Sequence, residues 1–166
     1  MTRTATYRAD VRWLGEHWGH LALGNGPEMK FSAPPDAHGH AGVLTPEDAF
    51  VAAANTCVML MFIWAAERFK LRLLSYECRT EGTKVVELDR TEIFTKVALG
   101  PRIVVRAAAA QEEETRKRVQ RALESAFKYS LVANSIKSEI VVEPEIEIVA
   151  SAGTAGDGAL PARINP

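Results

Sequence analysis

Hydrophobic and polar positions alternate from the start of the chain. Thr4, Thr6, Arg8 and Asp10 interleave with Ala5, Tyr7, Ala9 and Val11, and Trp13 continues the second set. A period of two is that of a half-buried strand. Gly15, Glu16 and Gly19 predict a turn, after which HLALG returns as a second strand. Asn25-Gly26-Pro27 predicts another turn and EMKFSA a short third strand. PPDAHGHAGVL has the composition of a loop.

The pattern changes at Thr45. TPED offers Thr45 as N-cap, Pro46 at the first helical position, and Glu47 and Asp48 in the first turn. The residues that follow are apolar on nearly every face until Glu67. The 18 residues from Ala49 to Ala66 carry no charge, close to the lower limit of about 20 for a membrane-spanning helix. Asn55 and Thr56 interrupt the run, and Glu47, Asp48, Glu67 and Arg68 flank it closely. These features predict a buried core helix and no membrane association. A helix apolar all round must be enclosed by a sheet, by other helices or by a second subunit.

After Lys70 the period returns to two. Leu74, Tyr76, Cys78 and Thr80 share one face of the predicted strand, which Gly82 ends. VVELDRTEIFTKVALGPRIVVRAA reads as a longer strand or hairpin, with Gly100-Pro101 at a bulge, turn or edge. QEEETRKRVQRALESAFKYS is a second helix with one apolar stripe of Val119, Ala122, Leu123, Ala126 and Phe127. Its run EEETRKR reads as a solvated face with i,i+4 pairs. EIVVEPEIEIVA alternates as a closing strand. The order of strands, core helix, strands, amphipathic helix and strand predicts an α+β fold. Residues 1–150 form one domain, and 151–166, small and polar without periodicity, form a flexible tail.

Composition narrows the class. With 166 residues, 47% hydrophobic and 25% charged, the chain suits one ordinary globular domain and excludes wholesale disorder. A formal net charge of −1 leaves no electrostatic footprint for nucleic acid. Two cysteines, Cys57 and Cys78, make no secreted disulfide scaffold. That points to a reducing, cytoplasmic setting, where a thiol serves reactivity or packing. His38 and His40 form an H-x-H pair with Asp36 close by, but no further ligand completes a metal site in sequence. No metal and no other cofactor is expected.

Cys57 lies in the apolar run, in the string NTCVMLMF. A mid-helix cysteine commonly packs as a small hydrophobe. Its surroundings carry a resemblance, however. TPEDAFVAAANTCVMLMFIWAAERFKL is similar to the central helix of the OsmC/Ohr family of organic hydroperoxide reductases. That family opens the helix with Pro-Glu and places its peroxide-reacting cysteine ten residues after the Glu, the spacing of Pro46-Glu47 and Cys57 here. The family motif near the end of the second helix is a Cys followed by Pro-Val-Ser-Asn-Ser and an apolar residue. In SLVANSI, Ser130 to Ile136, Val132, Asn134 and Ser135 match it.

The resemblance implies an OsmC-like intertwined homodimer, two central helices wrapped by antiparallel sheets, with active sites at the subunit interface. It implies reduction of an organic hydroperoxide by Cys57, with Glu47 orienting an Arg that stabilises the thiolate. Two positions depart from the family. The resolving cysteine is replaced by Ser130, whose hydroxyl cannot form a disulfide. The hairpin string WLGEHWGHLAL has His17-Trp18 where the Arg belongs; Arg12 lies several residues early, and His17 or His20 is the nearby imidazole. Without a cation, burial disfavours the thiolate.

Cys78 is the other thiol. Helix and return strand bring it to a similar height as Cys57, but layers stand about 10 Å apart and a disulfide needs Cα atoms within about 7 Å, so Cys78 serves as a second, resolving thiol only with movement and otherwise packs on the inner strand face. Glu47 is also a first-turn acid, favourable at a helix N-terminus by about 0.3–1 kcal/mol. Met59, Met61, Phe62 and Trp64 read as core, and the resemblance implies that Met61 and Phe62 line an apolar pocket around Cys57. Two functions follow. One is a one-cysteine, thiol-dependent peroxidase acting on a small organic hydroperoxide and regenerated by an external thiol or dithiol. The other is a non-catalytic OsmC-like dimer that binds a small apolar ligand or is structural.

Overall fold

Two β-sheets and two helices follow the predicted order. The structure, a computed structural model, describes residues 2–151. Strands β1 (Ala9–Gly15), β2 (Trp18–Leu23) and β3 (Glu28–Ser32) form an antiparallel meander. Helix α1 (Pro46–Arg68) follows, then β4 (Arg72–Val86), β5 (Glu92–Ala107), helix α2 (Glu112–Tyr129), β6 (Glu139–Val142) and β7 (Glu145–Ala150). The tail expected from residue 151 lies, beyond Ser151, outside the described residues.

β1 starts at Ala9, not Thr4, although the Arg8 carbonyl still accepts from the Gly24 N–H at 2.8 Å. The second sheet is mixed rather than antiparallel throughout. β4 and β5 pair antiparallel, while β6 and β7 both run parallel to β5 along its other edge. The closing pattern EIVVEPEIEIVA is therefore two strands, broken at Glu143-Pro144. Gly100-Pro101 lies inside β5, between the stretches that pair with β6 and β7. The Leu99 carbonyl accepts from Glu143 on that side. Strand alternation then points the missing N–H of Pro101 into the same gap, where no ladder bond is lost.

Two positions in β4 differ from expectation. A bulge between Leu73 and Ser75 turns Leu74 outward and gives Leu73 the inner place, ahead of Tyr76 and Cys78. Gly82 does not end the strand. A Cβ there would stand 2.7 Å from Val51 Cγ2 and 2.8 Å from Phe94 Cε1. The glycine lets α1 and the Phe94 ring approach the strand closely.

The core lies between α1, α2 and the second sheet. Ala54, Val58, Phe62, Ala65 and Ala66 of α1 meet Val97, Leu99, Ile103 and Val105 of β5 and the stripe Val119, Ala122, Leu123 and Ala126 of α2. Phe62 is fully enclosed and tilts onto Tyr76 at 5.2 Å. The two polar residues in the apolar run are accommodated: Asn55 donates to the Cys78 carbonyl at 3.0 Å, and Thr56 donates back to Ala52 at 2.8 Å.

α1 opens as its sequence predicts. Thr45 accepts from the Asp48 N–H at 3.1 Å and donates to the Asp48 carboxylate at 2.9 Å. Thr45→Ala should lower stability by about 1 kcal/mol, read as a lower urea midpoint at unchanged m-value. α1 is long and apolar enough to cross a membrane by length and composition, but one of its faces is packed in this core. Its other face is not covered by the described residues. Leu60 is 49% and Trp64 63% exposed. The N-terminal sheet likewise makes no extensive contact with either helix or with the second sheet, and its Trp13 is 75% exposed.

Candidate active site

Cys57 faces the end of α2. The Ser130 hydroxyl donates to Cys57 Sγ at 3.2 Å, and the Ala133 N–H donates to Ser130 Oγ at 3.2 Å. Ser130 is fully buried. The residues after it hold it there. Asn134 donates its side-chain amide to the Lys128 carbonyl at 3.0 Å, and its N–H to the Ser130 carbonyl at 3.0 Å. Ser135 donates to the Leu131 carbonyl at 2.8 Å. The carbonyls left open at a helix C-terminus need such partners. SLVANSI thus caps α2 and aims one hydroxyl at one sulfur.

Cys57 and Ser130 are the two candidate residues the fold brings together. Cys57 is half-buried, as is Met61 one turn further on. Phe62 is not an accessible wall; the core encloses it completely.

Cys78 has other neighbours. Its Sγ lies 3.6 Å from Thr80 Oγ1, and both cysteines are free thiols. Asn55, not Cys57, makes the contact to the Cys78 backbone. Two residues apart on a helix point about 200° apart, so Cys57 and the contact to Cys78 are on different sides of α1. The Tyr76 hydroxyl is buried without a hydrogen-bond partner among the described residues. Burial, and then the nearby Cys78 thiol, push its phenol above the ordinary tyrosine range.

Glu47 stands ten residues before Cys57 on one straight helix, about 15 Å away along the axis. It lines a cavity of about 240 Å³ with Phe50, Lys84, Glu92 and Phe94, and its Oε2 is buried with no partner among the described groups. Lys84 is the cation of that cavity, 2.7 Å from Glu92. The Glu92 hydrogen bond first, and then the charges of Glu92, Asp36 and Glu47, hold its ammonium above the ordinary lysine range. Sequence reading missed Lys84. It lies 37 positions after Glu47 on an alternating strand, and no local signal marks it.

The hairpin residues reach the same end of α1. Arg12 and His17 line a second cleft, of about 370 Å³, together with Trp13, Trp18, Phe31 and Pro46. His20 instead stands 3.3 Å from Glu28. The His40 ring stacks on Trp18 at 4.2 Å, and His38 and His17 are 6.3 Å apart. Among the described residues, no three His, Cys, Asp or Glu side chains converge as metal ligands.

This helix-and-mixed-sheet arrangement, with the Cys57–Ser130 pair at the helix junction, defines an OsmC-like fold. A family model described as OsmC-like protein matches residues 39–145, and the chain belongs to that family. No curated protein matches it in sequence. Among solved structures, it is similar to an OsmC-like protein of unknown function from Vibrio cholerae (TM-score 0.76, 23% identity), covering 85% of this chain and 99% of that one. An organic hydroperoxide resistance protein from Elizabethkingia anophelis, solved with thiocyanate bound, shares 16% identity at TM-score 0.64, over 90% of this chain and 100% of that one. OhrB of Bacillus subtilis, another organic hydroperoxide resistance protein, shares 14% identity at TM-score 0.57, over 86% and 98%. At these identities the likeness is one of fold.

Proposed function

We propose that this protein is a thiol-dependent reductase of organic hydroperoxides, with Cys57 as its single peroxide-reacting residue. The observation that carries this reading is the buried Ser130 hydroxyl, held by a backbone N–H and donating to Cys57 Sγ. The Cys57 thiolate attacks the outer oxygen of the hydroperoxide, the O–O bond breaks, and the leaving alkoxide takes a proton and departs as an alcohol. The sulfur is left as a sulfenic acid. An external thiol then attacks that sulfur, water leaves, and a second thiol releases Cys57 by exchange. Ser130 stabilises the thiolate and cannot resolve the intermediate.

The working unit in this reading is a homodimer. The uncovered apolar face of α1, with Leu60 and Trp64, needs a partner. A second copy is the partner that OsmC-like relatives suggest. Such a pairing brings the Glu47 end of one α1 toward Cys57 of the other, with Lys84 and Arg12 as the cations nearest that end and the His17 imidazole beside them. Met61, one turn from Cys57, contributes an apolar wall for the organic tail of the substrate.

The test is cumene hydroperoxide consumption with added monothiol or dithiol, with a sulfenic-acid trap. A trapped adduct at Cys57 and thiol-dependent turnover support the enzyme. Ser130→Ala should slow turnover by about tenfold to a hundredfold, because a charged acceptor loses its donor. Ser130→Cys should convert the cycle to an internal one. One equivalent of hydroperoxide then leaves a disulfide between Cys57 and the introduced thiol, seen as loss of two hydrogens in the intact mass, and dithiol outperforms monothiol. The second reading is an OsmC-like dimer that binds an apolar ligand without chemistry. It is favoured by the neutral character of Ser130, the one hydrogen-bond partner of Cys57 Sγ among the described residues. A native protein whose Cys57 is neither trapped nor titrated before unfolding would make Cys57 a core residue and overturn the enzyme.

A further inference from the structure

At the far end of the second sheet, the turn after α1, the start of β4, the end of β5 and the first turns of α2 enclose a cavity of about 310 Å³. Lys70, Arg72, Arg106 and Arg118 line it, with Thr115 and Gln111, and no acidic residue does among the described residues. We propose that this cavity binds a phosphoryl group, as inorganic phosphate or as the phosphate of a small monoester.

Three independent features point to an anion. First, the four cations have no carboxylate partner among the described residues, although acids are near in the chain. Glu112, Glu113 and Glu114 at the start of α2 pair with Arg116, Lys117 and Arg121, and Glu147 of β7 pairs with Arg102. Second, Arg118 is anchored but unfinished. Its Nη1 donates to the Phe69 carbonyl at 3.4 Å and its Nη2 to Thr115 Oγ1 at 3.2 Å, while its Nε is buried with no acceptor among the described residues. A buried donor left open is costly unless something fills it. Third, Arg72 and Arg106 are direct cross-strand partners at the end of the sheet, both exposed, on the face opposite Leu73 and Val105. Like charges placed opposite each other destabilise a sheet, and an anion held at that rim relieves the repulsion.

Lys70 adds a backbone argument. It adopts φ 53°, in the left-handed region. The Leu71 N–H reaches the Ala66 carbonyl at 2.9 Å and the Lys70 N–H reaches Glu67 at 3.0 Å. That is the helix-ending motif in which glycine is usual at this position. A lysine there gives up stability that glycine would retain. Part of its place is explained by the negative end of α1, which favours any cation. That does not explain Arg72, Arg106 or the open Nε of Arg118. The number of cations and the forked guanidinium donors suit a doubly charged tetrahedral oxyanion better than a single carboxylate.

The experiment is calorimetric titration of the full chain at fixed ionic strength with sodium phosphate, phenyl phosphate and succinate, alongside phosphorus NMR line widths. Saturable binding of phosphate or phenyl phosphate, tighter than that of succinate, is expected. A preference for phenyl phosphate over inorganic phosphate identifies a monoester as the ligand, and the reverse identifies the free ion. Lys70→Gly should weaken phosphate binding about tenfold while raising the thermal midpoint of the unliganded protein. A weakened fold cannot then account for the loss. Arg106→Gln should weaken binding similarly without lowering the midpoint. Absence of saturable phosphate binding, tighter binding of succinate, or unchanged affinity in both variants would overturn the proposal.

Discussion

Cys57→Ser should reduce thiol-dependent hydroperoxide consumption by about three orders of magnitude or more, to the rate of the added thiol alone. The reason is electronic. The step needs a soft nucleophile that can expand to a sulfenic acid, and a serine hydroxyl at the same place neither ionises near neutral pH nor accepts oxygen. The fold should survive. Cys57 is half-buried, and serine is close to it in size and can still pair with Ser130. An unchanged circular dichroism spectrum and melting midpoint, alongside lost turnover, separate chemistry from folding. Cys78→Ser should leave turnover close to that of the native chain, because its sulfur faces Thr80 and Tyr76 and not Ser130. Full activity in Cys57→Ser would remove the thiol mechanism, and a loss in Cys78→Ser equal to that in Cys57→Ser would make the second thiol part of it.

A second large effect is expected on the same side of α1, one and two turns beyond Cys57. Leu60→Glu combined with Trp64→Glu should weaken self-association by about three orders of magnitude, shifting sedimentation from dimer to monomer at micromolar protein. Buried at an interface, each carboxylate would lose its hydration without a partner. Among the described residues these two positions are already open to water, so the monomer itself should lose little stability. Turnover should fall with dissociation, because the Glu47 end of α1 lies about 15 Å from Cys57 of its own chain. A double variant that stays dimeric, or a monomer that retains full turnover, would contradict the interface reading.

The elements were largely legible in the linear pattern, and the exceptions have local causes. Thr45 and Pro46 mark the start of α1 because capping is a property of a few consecutive residues. The β4 bulge was not legible. A one-residue slip exchanges Leu73 and Leu74, and both are leucine, so the pattern is equally consistent with either. Gly82 signals a break only when nothing is known of what packs on it; with Val51 and Phe94 against it, the same residue keeps the strand intact. The parallel pairing of β6 and β7 was hidden for a similar reason. Alternation along a strand says which face is buried but not in which direction its neighbour runs.

The candidate site divides in the same way. The chain alone determined the helix carrying Cys57, the ten-residue interval to Glu47 and the motif around Ser130, because spacing along a helix and the identity of capping residues are local quantities. Only the tertiary structure decided that Ser130 donates to Cys57, that Phe62 is too enclosed to line a pocket, and that Lys84 supplies the cation beside Glu47. It also decided that Lys70, Arg72, Arg106 and Arg118 enclose one cavity. These depend on which side of an element faces which neighbour across tens of residues. Sequence periodicity restricts the faces, and packing of helices on a twisted sheet chooses among them.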